Sequence, residues 1–180
     1  MVVNKNIKKI LISEEEIKNR TIEIAAQIDK DFEGKKPILV GLLKGSIPFM
    51  AELMKRITID CEIDFMDVSS YSGTESQGDI KINKDLDRSI KDENIIIVED
   101  IIDTGKTLKT VIAMMLAKGA KEVKVVSLLD KKERREVDIE GDYVGFNVPN
   151  EFVVGFGLDF NQLYRNLPYV GVLKEECYKE

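Results

Sequence analysis

Residues 95–108, Ile-Ile-Ile-Val-Glu-Asp-Ile-Ile-Asp-Thr-Gly-Lys-Thr-Leu, constrain the fold more than any other stretch. Four β-branched apolar residues, Ile95 to Val98, run without a polar break, as in a strand buried on both faces of a parallel sheet. Lys106 to Lys118 reads as a helix, with Leu108, Val111, Ile112, Met115 and Leu116 at helical spacing. Gly119 stands where a left-handed cap is expected. Val123 to Leu129 supplies the next strand, so a β–α–β unit with a right-handed crossover is predicted. Ligands of such sheets bind beyond the carboxyl ends of the strands. That gathers Glu99, Asp100, Asp103 and the turn 104–107 into one crevice.

Charge decides what the crevice can hold. A turn entering a helix presents free N–H groups and a positive dipole end, hence a phosphate site. Thr104 and Thr107 add hydroxyl groups, and Gly105 lets the backbone approach closely. The acids repel phosphate but suit sugar hydroxyls, or a Mg²⁺ that keeps most of its waters and is shared with substrate phosphates. A phosphorylated sugar carrying a metal-bound polyphosphate meets both demands. A P-loop needs glycine four residues before the Gly-Lys pair. Asp100 stands there, so that rival fails.

Composition narrows the chemistry. At 180 residues the chain is long enough for one domain with a substantial core. A net charge of −6 without a basic tract argues against nucleic acid as the main partner. No apolar run approaches membrane-spanning length and no signal-peptide pattern opens the chain, so a cytoplasmic protein is expected. Cys61 and Cys177 lack metal spacing and read as unpaired thiols in a reducing compartment. Histidine is absent, which leaves carboxylate, lysine and hydroxyl chemistry.

Elsewhere, Ile7 to Ile12 reads as a short strand. Ser13 and Glu16 have capping-box spacing for a helix to about Phe32, with Ile17, Ile24, Ala25 and Ile28 inward and Gly34 ending it. Pro37 to Leu43 is a buried strand, followed by Lys44-Gly45-Ser46 and a helix starting near Pro48. Strands over 59–69 and 79–83 flank a polar, glycine-bearing connection at 70–78, either disordered or a lid. The charge-dense stretch 130–142 reads as a solvated connection, apart from Lys131 just past a strand's carboxyl end; Lys132 could compete, but register favours Lys131. Tyr143 to Val148 and Phe152 to Leu158 look like the last strands and the start of a small capping element. Gly155-x-Gly157 fails as a dinucleotide motif, since position 160 is Phe and no suitable helix follows.

Val-Glu-Asp-Ile-Ile-Asp-Thr-Gly-Lys-Thr-Leu at 98–108 resembles the signature of the type I phosphoribosyltransferases, most of all their hypoxanthine-guanine branch. Leu-Lys-Gly at 43–45, Phe-Val-Val-Gly-x-Gly-Leu-Asp at 152–159 and Tyr-Arg-Asn-Leu-Pro at 164–168 follow the same pattern, so the resemblance covers essentially the whole chain. Phe156 and Phe160 stand where tyrosine is frequent. The implied fold is α/β: a parallel sheet of about five strands flanked by helices. It forms a single domain over 1–180, with a small hood from roughly 1–12 and 150–180.

The implied reaction transfers the phosphoribosyl group from phosphoribosyl pyrophosphate to N9 of a 6-oxopurine, giving IMP or GMP and pyrophosphate, with Mg²⁺ as cofactor. By resemblance, Glu99 and Asp100 hold ribose hydroxyls and metal. Asp103, Thr104, Gly105, Lys106 and Thr107 form the 5′-phosphate turn, with Asp103 also handling a proton at the purine N7. Lys44, Gly45, Ser70, Tyr71 and Arg165 reach the pyrophosphate, with a cis peptide often found between the Lys and Gly. The loop bearing Ser70 and Tyr71 closes over the site. Lys131 binds the 6-oxo group, Phe152 stacks on the base, Val153 supplies backbone contacts, and Asp159 sits by the base and a metal site. A homo-oligomer, dimer or tetramer, is implied too. Two other readings stand beside this one: a transferase for xanthine, a pyrimidine or adenine, and a regulator of the same fold that binds RNA or an effector. Lys131, a donor, argues against adenine, and the acidic balance argues against RNA.

Overall fold

Alternation along the apolar runs sets the layers. The computed structural model describes residues 3–70 and 80–179. Its main sheet is built from β2 (Ile38–Leu42), β3 (Glu62–Ser70), β4 (Ile80–Lys84), β5 (Asn94–Ile102), β6 (Glu122–Asp130) and β7 (Tyr143–Asn147), in the order β4-β3-β2-β5-β6-β7. Five of these strands pair in parallel, and β4 runs antiparallel on the edge beside β3. Ile96 and Val98 of β5 face a core shared with helices α1 (Glu14–Asp31) and α2 (Ile47–Met54). Ile95 and Ile97 face a second core under α3 (Lys106–Ala117). Successive strand residues point to opposite faces, so an unbroken apolar strand is what a sheet covered on both sides requires.

Helix signals in the sequence held. Ser13 and Glu16 form a complete capping box, and Ile17, Ile24, Ala25 and Ile28 are buried. Pro48 lies in the first turn of α2, where its missing N–H costs no hydrogen bond. Gly119 has a φ of 89°. Two expectations are corrected. Leu116 is 51% exposed, because the buried stripe of α3 is only Leu108, Val111 and Met115 and the next residue rotates away from it. Strand β5 also continues past Val98, because pairing with β6 runs on through Glu99–Ser127 to Ile102–Asp130. Glu99 and Asp100, expected at the strand's carboxyl end, therefore lie within the strand itself.

A separate three-stranded antiparallel sheet pairs β1 (Ile7–Ile12) with β9 (Val170–Leu173), and β9 with β8 (Val153–Val154). Tyr169 is fully buried beneath it, its hydroxyl accepting from the Asn4 N–H at 3.1 Å. The chain leaves β2 for β3 and β4 on one side and for β5, β6 and β7 on the other. Strand order therefore reverses between β2 and β5, where a crevice opens.

Candidate active site

The first crevice, about 240 Å³, lies at that reversal. Leu43 and Gly45 after β2 form one wall, Val68 of β3 contributes, and Glu99 to Thr107 supply the rest. Two missing side chains let the backbone close up there. A Cβ on Gly45 would sit 1.6 Å from Asp100 Oδ2, and one on Gly157 would sit 1.9 Å from the Gly45 carbonyl oxygen. The turn after β2 is thus clasped between the acidic end of β5 and the 155–158 turn. The cis peptide bond lies at Leu43–Lys44, one residue earlier than the Lys–Gly bond the resemblance implied.

The acid pair is under electrostatic load. Burial, then the neighbouring Asp100, pushes the Glu99 carboxyl well above the usual carboxylate range. Burial pushes Asp100 up to about 6; the Ile101 N–H and the Arg165 guanidinium oppose this, while Asp159 adds to it. Such a pair favours a cation or hydroxyl donors over another anion. Among the described residues, no group of three or more His, Cys, Asp or Glu is arranged to hold a metal.

Beyond β5, Asp103 to Lys106 turn into α3. Gly105 is the N-cap with a φ of 83°, a conformation that a Cβ disfavours. Its missing side chain also matters for packing: a Cβ there would meet Ile139 Cγ2 at 2.6 Å. The 131–139 connection forms a roof over this turn. Lys131 N–H donates to Ile102 O at 2.9 Å, and Glu136 N–H donates to Thr104 O at 3.0 Å. The Arg135 guanidinium donates to Asp103 O and to the carboxylate of Asp130, which is fully buried. Asp130, Lys131 and Arg135 are thus held within the fold, while most of 132–142 is exposed, as a solvated connection should be. An acid ending an apolar strand, with Arg five residues on, was the sequence feature that could have revealed this anchor.

A second crevice, about 340 Å³, adjoins the first and shares Ile101 and Asp103 with it. Lys131, Arg134, Phe152, Val153, Leu158 and Tyr178 are in its wall. Lys131 is only 7% exposed, its Nζ donates to Glu151 O at 3.0 Å, and burial lowers its pKa. Arg134 Nε lies 2.9 Å from Asp103 Oδ1, so the carboxylate at the junction carries a counter-ion. Phe152 is 37% exposed, stacks on Tyr178 and meets Phe160 edge-on.

The structure thus brings together Gly45, Glu99, Asp100, Asp103, Thr104, Gly105 and Thr107 in one crevice, and Lys131, Phe152 and Val153 in the next. Lys44 is exposed, with no hydrogen bond or ion pair to its side chain among the described residues. Lys106 is not in the crevice wall and pairs with Glu136. Arg165 bridges Gly157 O and Asp159, whose second oxygen accepts from Gln162 N–H. Ser70 ends β3, and Tyr71 with the following loop lies outside the described residues. Sequence reasoning missed Arg134, Arg135, Glu151 and Tyr178, none of which belongs to a periodic pattern.

The chain is similar to known proteins along nearly its whole length. The phosphoribosyl transferase domain family matches residues 9–161. Hypoxanthine-guanine phosphoribosyltransferase of Streptococcus mutans is 57% identical over 180 residues, covering 99% of this chain and all of that one. The protein of the same name from Streptococcus agalactiae is 56% identical over the same span. A crystal structure of hypoxanthine phosphoribosyltransferase from Staphylococcus aureus superposes with a TM-score of 0.94 at 50% identity, covering 97% of this chain and 96% of that one. A mutant of the Trypanosoma cruzi enzyme, complexed with the product IMP, superposes with a TM-score of 0.94 at 37% identity, covering 99% of this chain and 97% of that one.

Proposed function

The chain belongs to the phosphoribosyl transferase family, and from that premise we propose that it transfers the 5-phosphoribosyl group of phosphoribosyl pyrophosphate to N9 of hypoxanthine or guanine. IMP or GMP forms and pyrophosphate leaves. The observation that carries this reading is the pair of crevices meeting at Ile101 and Asp103. One is acidic and backed by a helix N-terminus, fit for a phosphorylated sugar. The other is walled by an aromatic ring and a buried lysine, fit for a flat base with a carbonyl.

The chain's own groups account for most of the chemistry. In this reading the turn 103–107 holds the 5′-phosphate through N–H groups and the Thr104 and Thr107 hydroxyls, supplying binding energy remote from the reacting carbon. Glu99 and Asp100 hold the ribose hydroxyls. Their unbalanced charge fits Mg²⁺, which when bound would neutralise the leaving pyrophosphate. Lys44, Gly45 and Arg165 serve the diphosphate in this reading; the resemblance also assigns it Ser70 and Tyr71, the latter outside the described residues. The transition state is read as dissociative and oxocarbenium-like, so placement and charge stabilisation do most of the work.

Asp103, at the junction of the crevices, manages the proton at N7 as the base becomes a nucleophile. Lys131 donates to the 6-oxygen and stabilises charge building there. An amino group in that place would set donor against donor, which selects against adenine. Phe152 stacks on the base and Val153 contacts it through the backbone, while Asp159, its carboxylate held by Arg165, sits by the base. We also read residues 1–180 as one domain, with the small sheet of β1, β8 and β9 forming its hood.

A spectrophotometric assay with phosphoribosyl pyrophosphate, Mg²⁺ and hypoxanthine, guanine, xanthine or adenine in turn tests this. Turnover of hypoxanthine or guanine, abolished by a chelator, supports it. Silence with all four bases from folded protein overturns it.

A further inference from the structure

We propose that Tyr178 is a positioning residue for the purine, backing the Phe152 ring so that the base seats on a pile of two rings already in place. The proposal rests on the reading of Phe152 as the base-stacking residue. The Phe152 and Tyr178 centroids are 4.8 Å apart with 21° between planes, a stacked pair. Phe160 meets Phe152 at 5.5 Å and 88°, so Phe152 is braced by two aromatic neighbours. Offset stacks and edge-on contacts are the favourable aromatic geometries. A ring fixed before the base arrives loses less rotamer freedom on binding.

Tyr178 is itself well anchored. It packs against the cluster of Ile7, Val154, Tyr169 and Leu173 beneath the small sheet. Its N–H donates to Glu175 O at 3.1 Å, and the turn begins where Lys174 N–H donates to Asn6 O at 2.9 Å. The opposite reading makes Tyr178 a plug occupying the base's seat. Against it, the second crevice keeps about 340 Å³ with Tyr178 in its wall, and Phe152 stays 37% exposed beside it.

The test compares the full-length wild type with Tyr178→Ala, Tyr178→Phe and Phe152→Ala, measuring kcat, the KM for hypoxanthine, the KM for phosphoribosyl pyrophosphate, and melting temperature. Tyr178→Ala is expected to raise the KM for hypoxanthine about 3- to 10-fold. The KM for phosphoribosyl pyrophosphate and kcat should stay within about twofold. Tyr178→Phe, which keeps the ring, should match the wild type. A fall in the hypoxanthine KM of Tyr178→Ala would identify a plug and overturn the proposal. So would an unchanged hypoxanthine KM, or an equal rise in both KM values, which is the mark of a merely structural role. Phe152→Ala separates the levels: if it leaves the hypoxanthine KM unchanged in an active enzyme, the base-stacking assignment fails and the Tyr178 proposal with it. A large rise for Phe152→Ala beside no change for Tyr178→Ala sinks only the latter.

Discussion

Asp103 joins the two crevices, and its chemistry separates binding from turnover. Its carboxylate faces Arg134 at 2.9 Å in a half-exposed pair, a contact that contributes little to stability. Asp103→Asn keeps the shape and removes the base. It should lower kcat by roughly 10²- to 10⁴-fold while changing phosphoribosyl pyrophosphate affinity only a few-fold. Equal losses in kcat and affinity would count against the base role. Asp100 gives a pH prediction. Its folded pKa is raised from an ordinary 3.8 to about 6, so the folded protein binds more protons than the unfolded chain between those values. Stability attributable to this carboxyl therefore falls as pH rises through that window and levels off above it. With divalent cations chelated, Asp100→Asn should melt progressively higher than the wild type as pH goes from about 4 to about 6, and by a constant margin beyond. A margin independent of pH, or one that shrinks, would contradict the burial of this charge.

Among the elements, β5 and the turn into α3 were the most legible, because an unbroken β-branched run and a helical stripe each admit one periodicity. The end of β5 was not legible: parallel pairing with β6 carries the strand through residues that read as a polar break. The 130–142 connection is mostly exposed, as its charge suggests, but its anchor was not legible. Charge runs are usually solvated, and only tertiary folding pairs Arg135 with the buried Asp130. Gly105 was legible as a glycine-dependent turn, but its second constraint, the close approach of Ile139, is visible only in three dimensions. Gly105→Ala combines a left-handed φ with that contact, so a loss of ~1–2 kcal/mol or more is expected by denaturant titration. The displaced turn should also raise the KM for phosphoribosyl pyrophosphate more than that for the base. A melting curve and both KM values matching the wild type would show that the turn tolerates a side chain.

In the whole molecule, one reversal of strand order creates the site. Chain segments leaving β2 and β5 in opposite directions open the acidic crevice, and the connection after β6 meets the small sheet to wall the second. The sheet, its helices and the residues at 99–107 followed from pattern and charge. The base crevice did not, because Phe152, Lys131 and Tyr178 come from three distant segments whose meeting depends on the packing of the small sheet. The central claim is that the first crevice holds the phosphoribosyl group and the second the base. Calorimetric titration of ribose 5-phosphate and IMP against the wild type, Lys131→Gln and Thr107→Val tests it most directly, since one ligand fills a single crevice and the other spans both. Lys131→Gln should weaken IMP by about 10-fold or more and leave ribose 5-phosphate within about twofold. Thr107→Val should weaken both by the same factor. Equal weakening of the two ligands by Lys131→Gln, or loss of IMP alone with Thr107→Val, would contradict the assignment of the crevices.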